Sequence, residues 1–430
     1  MAFLYRHSYL LGKGIKKAMR LRGGGSALPG LVVESLDPKF LSRTLSQLPY
    51  GVVVVSGTNG KTTTTKMVAE LLRAQGLKVF TNPSGSNFTR GVVASLIDHI
   101  NPDGSLPADM AVLELDEAHA VHFVRQVKPR YTLILNVLRD QLDRFGEIDH
   151  TAKLLQQVVN ATSRGVVLNR EDELVRTLGQ NQPRDKKVQY FGLSDTLRAQ
   201  FPSDAYLHGG ETAPQKVPFP HRDDVILERI DTHTAVFSFG DKPQPPLTLK
   251  IDGIYNLLNA AAALALARMV CDADTATSKD MLHTLATVRP AFGRGEAVAI
   301  DDAPLEIVLV KNPSGFRLAL TSYDKTPAAT MIAINDNYAD GRDMSWLWDV
   351  DFTSLQKKGV AMVSGTRAYD MALRLQYDKV DVSQVDTNLT KALTAFIQST
   401  SGRRRLYCTY TCMLTLRREL GKVYPLEAIE

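Results

Sequence analysis

The chain has 430 residues, of which 44% are hydrophobic and 23% are charged, and its formal net charge is +5. This balance is typical of a globular enzyme with two or three domains, and neither a run of about 18 apolar residues nor a signal peptide is present, so we expect a cytoplasmic protein. The three cysteines, Cys271, Cys408 and Cys412, are too few for a disulfide framework and are predicted to be structural thiols.

The first 45 residues form a basic segment that we expect to pack on the core. Its cations precede the first acidic residue, Glu34, and they are Arg6, Lys13, Lys16, Lys17, Arg20 and Arg22. Two interpretations remain open: a solvated helix on the next domain, and a contact with an anionic lipid-linked substrate or the membrane surface. A nucleic acid partner is not expected, because stacking aromatic residues do not alternate with these cations.

Short apolar runs alternate with helix-like stretches between residues 46 and 190. The runs are GVVVVSG, LKVFTN, MAVLEL, YTLILNV and RGVVLN. Because strands that alternate with helices form parallel sheets covered on both faces, this region is predicted to be a doubly wound α/β domain.

The stretch VVVVSGTNGKTTTTKMV, residues 52–68, joins the first of these strands to a helix through a glycine-containing turn. Backbone N–H groups in such a turn converge on an anion at the start of the helix. Lys61 is placed to neutralise phosphate, and the hydroxyl of Thr62 is placed to bind magnesium. The usual P-loop spacing is not met, because Val55 stands where its first glycine would be. The turn therefore predicts a phosphate site of a shorter type.

Polar residues also follow the later strands of this region. Glu114 ends MAVLEL, at the edge where parallel sheets bind ligands, and its carboxylate suits magnesium. Asn169 ends RGVVLN, and its amide could meet an adenine edge. The polar residues at the end of YTLILNV and just after it are interpreted either as site residues or as caps and turn formers: Asn136, Asp140, Gln141 and Asp143.

The chain changes character after residue 190. Residues 190–250 are rich in proline and glycine and are predicted to be a small β insertion, and NLLNAAAALALARMV predicts a helix. VRPAFGRGEAV is interpreted as a linker-like turn. Beyond it, a second, smaller α/β domain of the Rossmann-like type is predicted from the strand patterns LEIVLVKN, ATMIAIND, GVAMVSG and RRLYCTY.

The stretch DNYADGRDMSWLWDVDF holds five aspartates and two tryptophans within seventeen residues. One interpretation is a loop whose aspartates cap turns. The other is a contact with a partner protein, because aromatic anchors are enriched at interface hot spots.

Together these motifs resemble the core of the Mur ligase superfamily, which uses ATP to turn a carboxylate into an acyl phosphate before an amine attacks it. The similarity spans most of residues 50–296 and is carried by GTNGKTTT, LEL, NVLRDQLD, LNRED, GIYNLLNAAAALA and FGRGE. It implies a central ATP-binding domain, residues 46–296, with Lys61 and Glu114 as catalytic residues and Mg²⁺ on Thr62 and Glu114. The remaining residues that the resemblance places at the nucleotide are Gly57, Thr58, Asn59, Gly60, Thr63, Asn169, Asn256 and Arg294.

The chain also resembles the MurT family, the synthetase subunits of lipid II isoglutaminyl synthase. This similarity is carried by DQLD, RGGGSALPG, NPSGSNFTRGV, VKNPSGF, INDNYADGRDMSWLWDVDF and SGTRAYDMALRL. It implies ATP-dependent amidation of the α-carboxylate of D-glutamate in the lipid II stem peptide, with ammonia from a GatD-like glutaminase in a heterodimer. Acting on lipid II would place the protein at the inner face of the membrane.

The MurT resemblance gives the C-terminal domain, residues 297–430, two further roles. Lys311 and Asn312 would reach the nucleotide from this domain. The domain would also dock the glutaminase, and Asp349 would orient the glutaminase histidine, with Asp351 and Asp343 as alternatives.

Two departures from these families matter. Gln141 replaces a metal-linked histidine of the Mur ligases, which leaves a second magnesium site open. Many MurT proteins carry a four-cysteine zinc ribbon, whereas residues 190–250 hold no cysteine, so no zinc is expected. Two other functions remain as alternatives: an amino-acid ligase of the Mur ligase or folylpolyglutamate synthase type, and a non-catalytic nucleotide-dependent scaffold.

Overall fold

The computed structural model describes most of the chain, namely residues 12–14, 28–82, 87–138, 148–198, 221, 223–231, 234–250, 254–288, 294–300, 303–323 and 327–426. Predictions that concern Asp140, Gln141, Asp143 and the basic N-terminal residues other than Lys13 lie outside these ranges. Within the described ranges, no helix has the length and apolar character needed to cross a membrane.

The described chain divides into two compact units: the first holds most residues up to Val288, and the second holds those from Arg294 onward together with Leu138 and Ile254. The strands of the first unit are β1 (Val52–Ser56), β2 (Val79–Thr81), β3 (Met110–Glu114), β4 (Tyr131–Ile134), β5 (Gly165–Asn169), β6 (Lys187–Leu193), β7 (Val225–Asp231), β8 (Thr234–Phe239), β9 (Lys242–Pro243) and β10 (Leu247–Thr248). Its helices are α1 (Leu28–Leu36), α2 (Phe40–Leu45), α3 (Lys61–Ala74), α4 (Thr89–His99), α5 (Glu117–Val124), α6 (Ile148–Ala161), α7 (Glu173–Thr177), α8 (Asp195–Arg198), α9 (Ile254–Cys271) and α10 (Thr275–Thr287).

All ten strands of the first unit belong to one sheet, in the order β10-β8-β7-β6-β5-β4-β1-β3-β2, with β9 paired to β8. The strands from β2 to β7 run parallel, and β8 turns back antiparallel to β7. Strands β1, β3, β4 and β5 are buried along their whole length, as expected for a parallel sheet covered on both faces. The predicted doubly wound α/β fold is thereby confirmed.

Strand β1 lies between β3 and β4, so the chain leaves it toward one side of the sheet and returns on the other. Such a switch point opens a crevice at the carboxyl ends of the strands, where open α/β sheets bind ligands. The glycine turn that follows β1 therefore lies at the edge where a ligand is expected.

The second unit is built on a separate sheet of six strands. Its strands are β11 (Arg294–Ile300), β12 (Ala303–Leu309), β13 (Ala329–Ala333), β14 (Met362–Ser364), β15 (Val385–Asp386) and β16 (Arg404–Cys408), in the order β11-β12-β16-β13-β14-β15. Only β11 is antiparallel to its neighbour. Its helices are α11 (Pro313–Tyr323), α12 (Ala368–Tyr377), α13 (Leu389–Ser399) and α14 (Tyr410–Leu420), with 3₁₀ turns at Ser345–Asp349 and Thr353–Leu355.

Two parts of the chain differ from their predictions in detail. The described part of residues 190–250 continues the main sheet, because β7 pairs in parallel with β6. The segment predicted as a linker-like turn contains the start of β11 at Arg294, so that prediction is wrong from this residue onward. The reason is that β11 forms a hairpin with β12, a pairing that depends on tertiary context.

The cysteines lie inside the protein to different degrees. Cys408 on β16 and Cys412 on α14 are buried, whereas Cys271 is partly exposed, and none forms a disulfide. Burial raises the pKa of the Cys412 thiol to about 12 and raises that of Cys408 well above its usual value. Both thiols are therefore held in the neutral form, which suits a structural role.

Candidate active site

The turn after β1 has backbone conformations that favour glycine. Gly57 has φ 127° and Gly60 has φ 88°, both in the left-handed region. Close neighbours add to this requirement, because a Cβ atom on Gly57 would lie 2.9 Å from the backbone nitrogen and oxygen of Asn136. On Gly60 it would lie 2.7 Å from Oδ1 of Asn259. The turn is therefore shaped by packing against two other elements.

Asn136, just after β4, holds this turn by three hydrogen bonds. The backbone N–H of Asn59 donates to Oδ1 of Asn136 at 2.8 Å, and Nδ2 of Asn136 donates to the carbonyl of Asn59 at 3.0 Å. The N–H of Thr58 donates to the carbonyl of Asn136 at 3.0 Å. These bonds match the interpretation of Asn136 as a turn former, and its place among the site residues stays a prediction.

Helix α3 begins at Lys61, directly after the turn, and carries a run of threonines. Gly60 is its N-cap, and Thr62 in the first turn is partly exposed. Thr63 and Thr64 are buried, and the hydroxyl of Thr64 donates to the carbonyl of Gly60 at 2.9 Å. The helix start therefore presents backbone N–H groups and the Thr62 hydroxyl, the features that bind phosphate and a phosphate-bound cation.

The side chain of Lys61 is buried beside the turn. Its ammonium donates to the carbonyl of Gly57 at 2.5 Å and to that of Thr58 at 3.2 Å, and lies 3.3 Å from Oε2 of Glu117. Glu117 is the first residue of α5 and is also buried. A lysine charge is thereby kept within the loop without exposure to water.

Glu114 ends β3, the strand next to β1, and is paired in register with Val55. Its backbone is fixed by the side chain of Asn82, whose Oδ1 accepts from the Glu114 N–H and whose Nδ2 donates to the Glu114 carbonyl, both at 2.9 Å. Asn82 and Glu114 are both buried. The structure thus brings Glu114 to the same sheet edge as residues 57–60, the turn after β1. We call these four residues the phosphate turn, after the ligand that the sequence predicts for them.

Magnesium fits the donor set at this edge. A carboxylate on Glu114 and a hydroxyl on Thr62 are the hard oxygen ligands that Mg²⁺ prefers, and nucleotide phosphates and water complete such sites. Zinc needs a different set of ligands, and its predicted absence stays a prediction.

Asn169 and Asn256 lie elsewhere in the first unit. Nδ2 of Asn169 donates to the carbonyl of Leu135 at 2.7 Å, and its Oδ1 accepts from the N–H of Glu171 at 2.9 Å. Its amide therefore supports the ends of two adjacent strands, and an adenine contact would compete with these bonds. Asn256 is partly buried in the first turn of α9.

The remaining predicted nucleotide residues belong to the second unit. Arg294 begins β11, and Lys311 and Asn312 follow β12. Asn312 is fully buried, and its Oδ1 accepts from the N–H of Gly315 at 2.7 Å, so it caps the start of α11. Their roles toward a nucleotide stay predictions.

Asp349 ends the 3₁₀ turn Ser345–Asp349 in the second unit, with an exposed side chain. The backbone around it is held by two arginines: Arg317 donates to the Asp349 carbonyl, and the buried Arg374 donates to the carbonyls of Leu347 at 3.2 Å and Val350 at 2.6 Å. The exposed carboxylate is therefore carried by a fixed backbone.

The two alternatives to Asp349 have local structural roles. Asp351 accepts from the N–H of Thr353 at 2.8 Å, and Asp343 accepts from that of Ser345 at 2.9 Å. These two carboxylates match the interpretation of turn-capping aspartates.

An exposed apolar surface lies next to Asp349. Tyr369, Leu373 and Tyr377 of α12 are spaced by four residues and are 70%, 51% and 73% exposed. The ring of Trp348, 48% exposed, meets that of Tyr377 edge to face at 5.2 Å. We call Trp348, Tyr369, Leu373 and Tyr377 the aromatic surface. Contiguous exposed apolar side chains of this kind mark protein interaction sites.

Sequence reasoning did not single out Asn82, and it did not predict that Glu117 contacts Lys61. Asn82 ends the run LKVFTN, and Glu117 lies three residues after Glu114. Their position at the ends of strands or at the start of the next helix was the available signal, but only the sheet order shows what they contact.

Comparisons with known proteins give a matching family model in each of the two units. The model of the Mur ligase middle domain matches residues 55–267, and that of the MurT ligase C-terminal domain matches residues 309–413. The MurT subunits of lipid II isoglutaminyl synthase (glutamine-hydrolysing) from Streptococcus pneumoniae and Staphylococcus aureus are each 28% identical over 96% of this chain, and the alignments cover 96% and 97% of those subunits. The crystal structure of MurF ligase from Thermotoga maritima in complex with ADP superposes with a TM-score of 0.66 at 17% identity, over 92% of this chain and 84% of that one.

Proposed function

Since the models of the Mur ligase middle domain and of the MurT ligase C-terminal domain match this chain, we propose that it amidates lipid II. In this proposal, ATP and ammonia convert the α-carboxylate of the D-glutamate in the stem peptide into the amide of D-isoglutamine. The observation that carries the proposal is the phosphate turn with Glu114 at the same sheet edge, in a chain that aligns end to end with MurT subunits.

The reaction runs in two steps. An oxygen of the glutamate carboxylate attacks the γ-phosphorus of ATP, ADP leaves, and an acyl phosphate remains. Ammonia then attacks the acyl carbon, phosphate leaves with the electron pair of the C–O bond, and the nitrogen loses a proton.

The residues of the first unit serve the phosphoryl transfer. The turn from Gly57 to Gly60, with the start of α3, binds phosphate through backbone N–H groups, and the charge of Lys61 stabilises the transferring group. Thr62 and Glu114 would hold Mg²⁺, which when bound offsets the charge on the phosphate oxygens. The buried walls of the turn exclude water, which strengthens these interactions.

The second unit docks a glutaminase subunit that supplies the ammonia. The aromatic surface offers apolar anchors, and Asp349 beside it offers a carboxylate on a rigid backbone. A glutaminase has a cysteine nucleophile and a histidine base, and a third group must orient that histidine. In our proposal the carboxylate of Asp349 is that group. The substrate places the complex at the cytoplasmic membrane surface, where the basic N-terminal residues favour anionic lipid.

The function can be tested without the partner. The purified chain is incubated with lipid II, Mg-ATP and a high concentration of ammonium chloride, and the muropeptide product is analysed by mass spectrometry. We expect a hydroxyl to be replaced by an amino group at D-glutamate. Hydroxylamine in place of ammonium should trap the acyl phosphate as a hydroxamate.

Two outcomes would redirect the assignment. If amino acids are added to the acceptor in place of ammonia, the chain is an amino-acid ligase. If ATP binds but no phosphate is released with any acceptor, the non-catalytic alternative gains support. Lys61→Ala in the same assay shows that product formation depends on this site and not on a contaminating ligase.

A further inference from the structure

Glu117 contacts Lys61 at the start of α3, yet no step of the proposed reaction uses it. Its side chain is 3% exposed, and its partner Lys61 is 6% exposed. A carboxylate in such a place is costly unless a cation accompanies it. The ion pair therefore offsets the cost of burying the Glu117 carboxylate, and this compensation depends on where the ammonium of Lys61 is directed.

The ammonium of Lys61 has three N–H donors, and among its contacts are three acceptor oxygens of the chain. These are the carbonyls of Gly57 and Thr58 and the carboxylate of Glu117. A phosphate oxygen that accepts from Lys61 must replace one of the three or share its proton. The contact with Glu117 is the longest of the three, at 3.3 Å. Glu117 is also the only anion among the three, so a phosphate that takes its place leaves Lys61 paired with a negative charge as before.

Replacement of Glu117 by phosphate creates an electrostatic conflict. The carboxylate would stay buried beside a polyanion, and like charges repel strongly where water is excluded. A divalent cation that arrives with the nucleotide removes this conflict, because its two positive charges offset both the phosphate and the carboxylate. The conflict is therefore present for metal-free ATP and largely absent for Mg-ATP.

We propose that Glu117 is a selectivity residue that excludes metal-free ATP and admits Mg-ATP. Its carboxylate also holds the ammonium of Lys61 beside the turn. This inference rests on the proposed nucleotide site. Glu117 affects the affinity for ATP through its ion pair with Lys61.

The test compares two affinities in the full-length chain by isothermal titration calorimetry. ATP is titrated once with excess magnesium and once with excess EDTA. The wild-type chain should bind Mg-ATP far more tightly than metal-free ATP. Glu117→Gln keeps the size and an acceptor oxygen for Lys61 but removes the charge, so the affinity for metal-free ATP should rise about tenfold or more, with less than about a threefold change for Mg-ATP.

Two further variants act as controls. Glu70→Gln removes a carboxylate that lies 4.0 Å from Lys66 on the same helix α3, and both affinities should stay as in the wild type. Glu117→Asp keeps the charge and should keep the exclusion of metal-free ATP. Thermal melting of each variant shows whether it is folded.

The outcomes separate the inference from the function on which it rests. A wild-type chain that binds both forms of ATP equally well overturns the inference without any variant. A folded Glu117→Gln chain with the wild-type ratio of affinities, or with both affinities reduced equally, overturns it too. Absence of Mg-ATP binding by the wild-type chain would reject the nucleotide site itself, and the proposed function with it.

Discussion

Asn136 and Asn59 bond each other in both directions, side chain to backbone, at 2.8 Å and 3.0 Å. One residue follows β4 and the other lies in the turn after β1, so the pair ties the phosphate turn to the neighbouring strand. The turn therefore owes its shape to a residue 77 positions away in the chain.

Replacement of Asn136 by Ala should weaken ATP binding. Two hydrogen bonds to the turn are lost, and unpaired polar groups near the ligand cost about 1–3 kcal/mol, so the KM for ATP should rise about tenfold or more. Steady-state kinetics with ammonium as nitrogen donor measures this. Asn101→Ala, which removes a bond to Ser105 in an exposed turn, is the control and should leave the KM unchanged. An unchanged KM in Asn136→Ala would mean that the turn keeps its shape without this pair.

Lys61→Ala should abolish most of the ligase activity. The lysine charge stabilises the transferring phosphoryl group in a site closed to water, so its loss should cost about 3 kcal/mol or more in kcat/KM. Ammonium should not restore activity, since the lesion lies before ammonia enters. Lys66→Ala, which changes a partly exposed lysine of the same helix α3, should behave as the wild type. A Lys61→Ala chain that amidates lipid II at the normal rate would refute the phosphate-site assignment.

How far the sequence predicts the site depends on the distance in the chain between its parts. The turn and the start of α3 follow β1 directly in the chain. The run of valines therefore predicts the strand, the glycines predict the anion-binding turn, and the lysine after them marks the start of the helix. Glu114 was predicted from its place at a strand end. The contacts of Asn82, Asn136 and Glu117 were beyond sequence reasoning, because they depend on which strands are neighbours, and the order β4-β1-β3-β2 is not encoded locally.

The aromatic surface shows a different limit. Helix α12 carries apolar residues on two faces: Ala368, Met371 and Leu375 are buried, whereas Tyr369, Leu373 and Tyr377 are exposed. A helix that is apolar on both faces gives no periodic signal that tells core from surface. The structure shows that the face with Ala368, Met371 and Leu375 packs on the core, and this identifies the face with the two tyrosines as the exposed one.

The buried thiols predict an alkaline loss of stability. The pKa of Cys412 is about 12 in the folded chain and near 9 when exposed, so its folded state binds the proton more tightly. Its contribution to the free energy of unfolding is therefore complete below pH 9 and is lost as the pH rises from 9 toward 12.

Urea unfolding at about pH 8 and about pH 10.5 measures this loss. Cys412→Ala has no proton to release there, so its stability should fall less between the two pH values than that of the wild type. In the native wild-type chain at pH 8, iodoacetamide should modify Cys271 first, because Cys408 and Cys412 are buried. Rapid native modification of Cys412 would contradict its burial and its raised pKa.

Asp349→Asn should separate the two activities of the complex. The variant keeps the volume of the side chain but loses the charge that stabilises a protonated histidine, so glutamine hydrolysis should fall by orders of magnitude. Lys61, Thr62 and Glu114 lie in the other unit and are unchanged, so ammonium at high concentration should restore amidation. Both activities are measured in one preparation of the complex with its glutaminase, and size exclusion confirms that the complex is intact.

Three companion variants make this result specific to the carboxylate. Asp343→Asn and Asp351→Asn alter turn-capping residues and should reduce glutamine hydrolysis far less. Tyr377→Ala changes the aromatic surface, so it should weaken the complex on size exclusion, with ammonium-dependent amidation retained. Glutamine use stops both when the complex falls apart and when the carboxylate charge is lost. Glutamine hydrolysis must therefore be measured in an Asp349→Asn complex that size exclusion shows to be assembled. Full hydrolysis in that complex would reject the role of Asp349 and turn attention to Asp351 and Asp343.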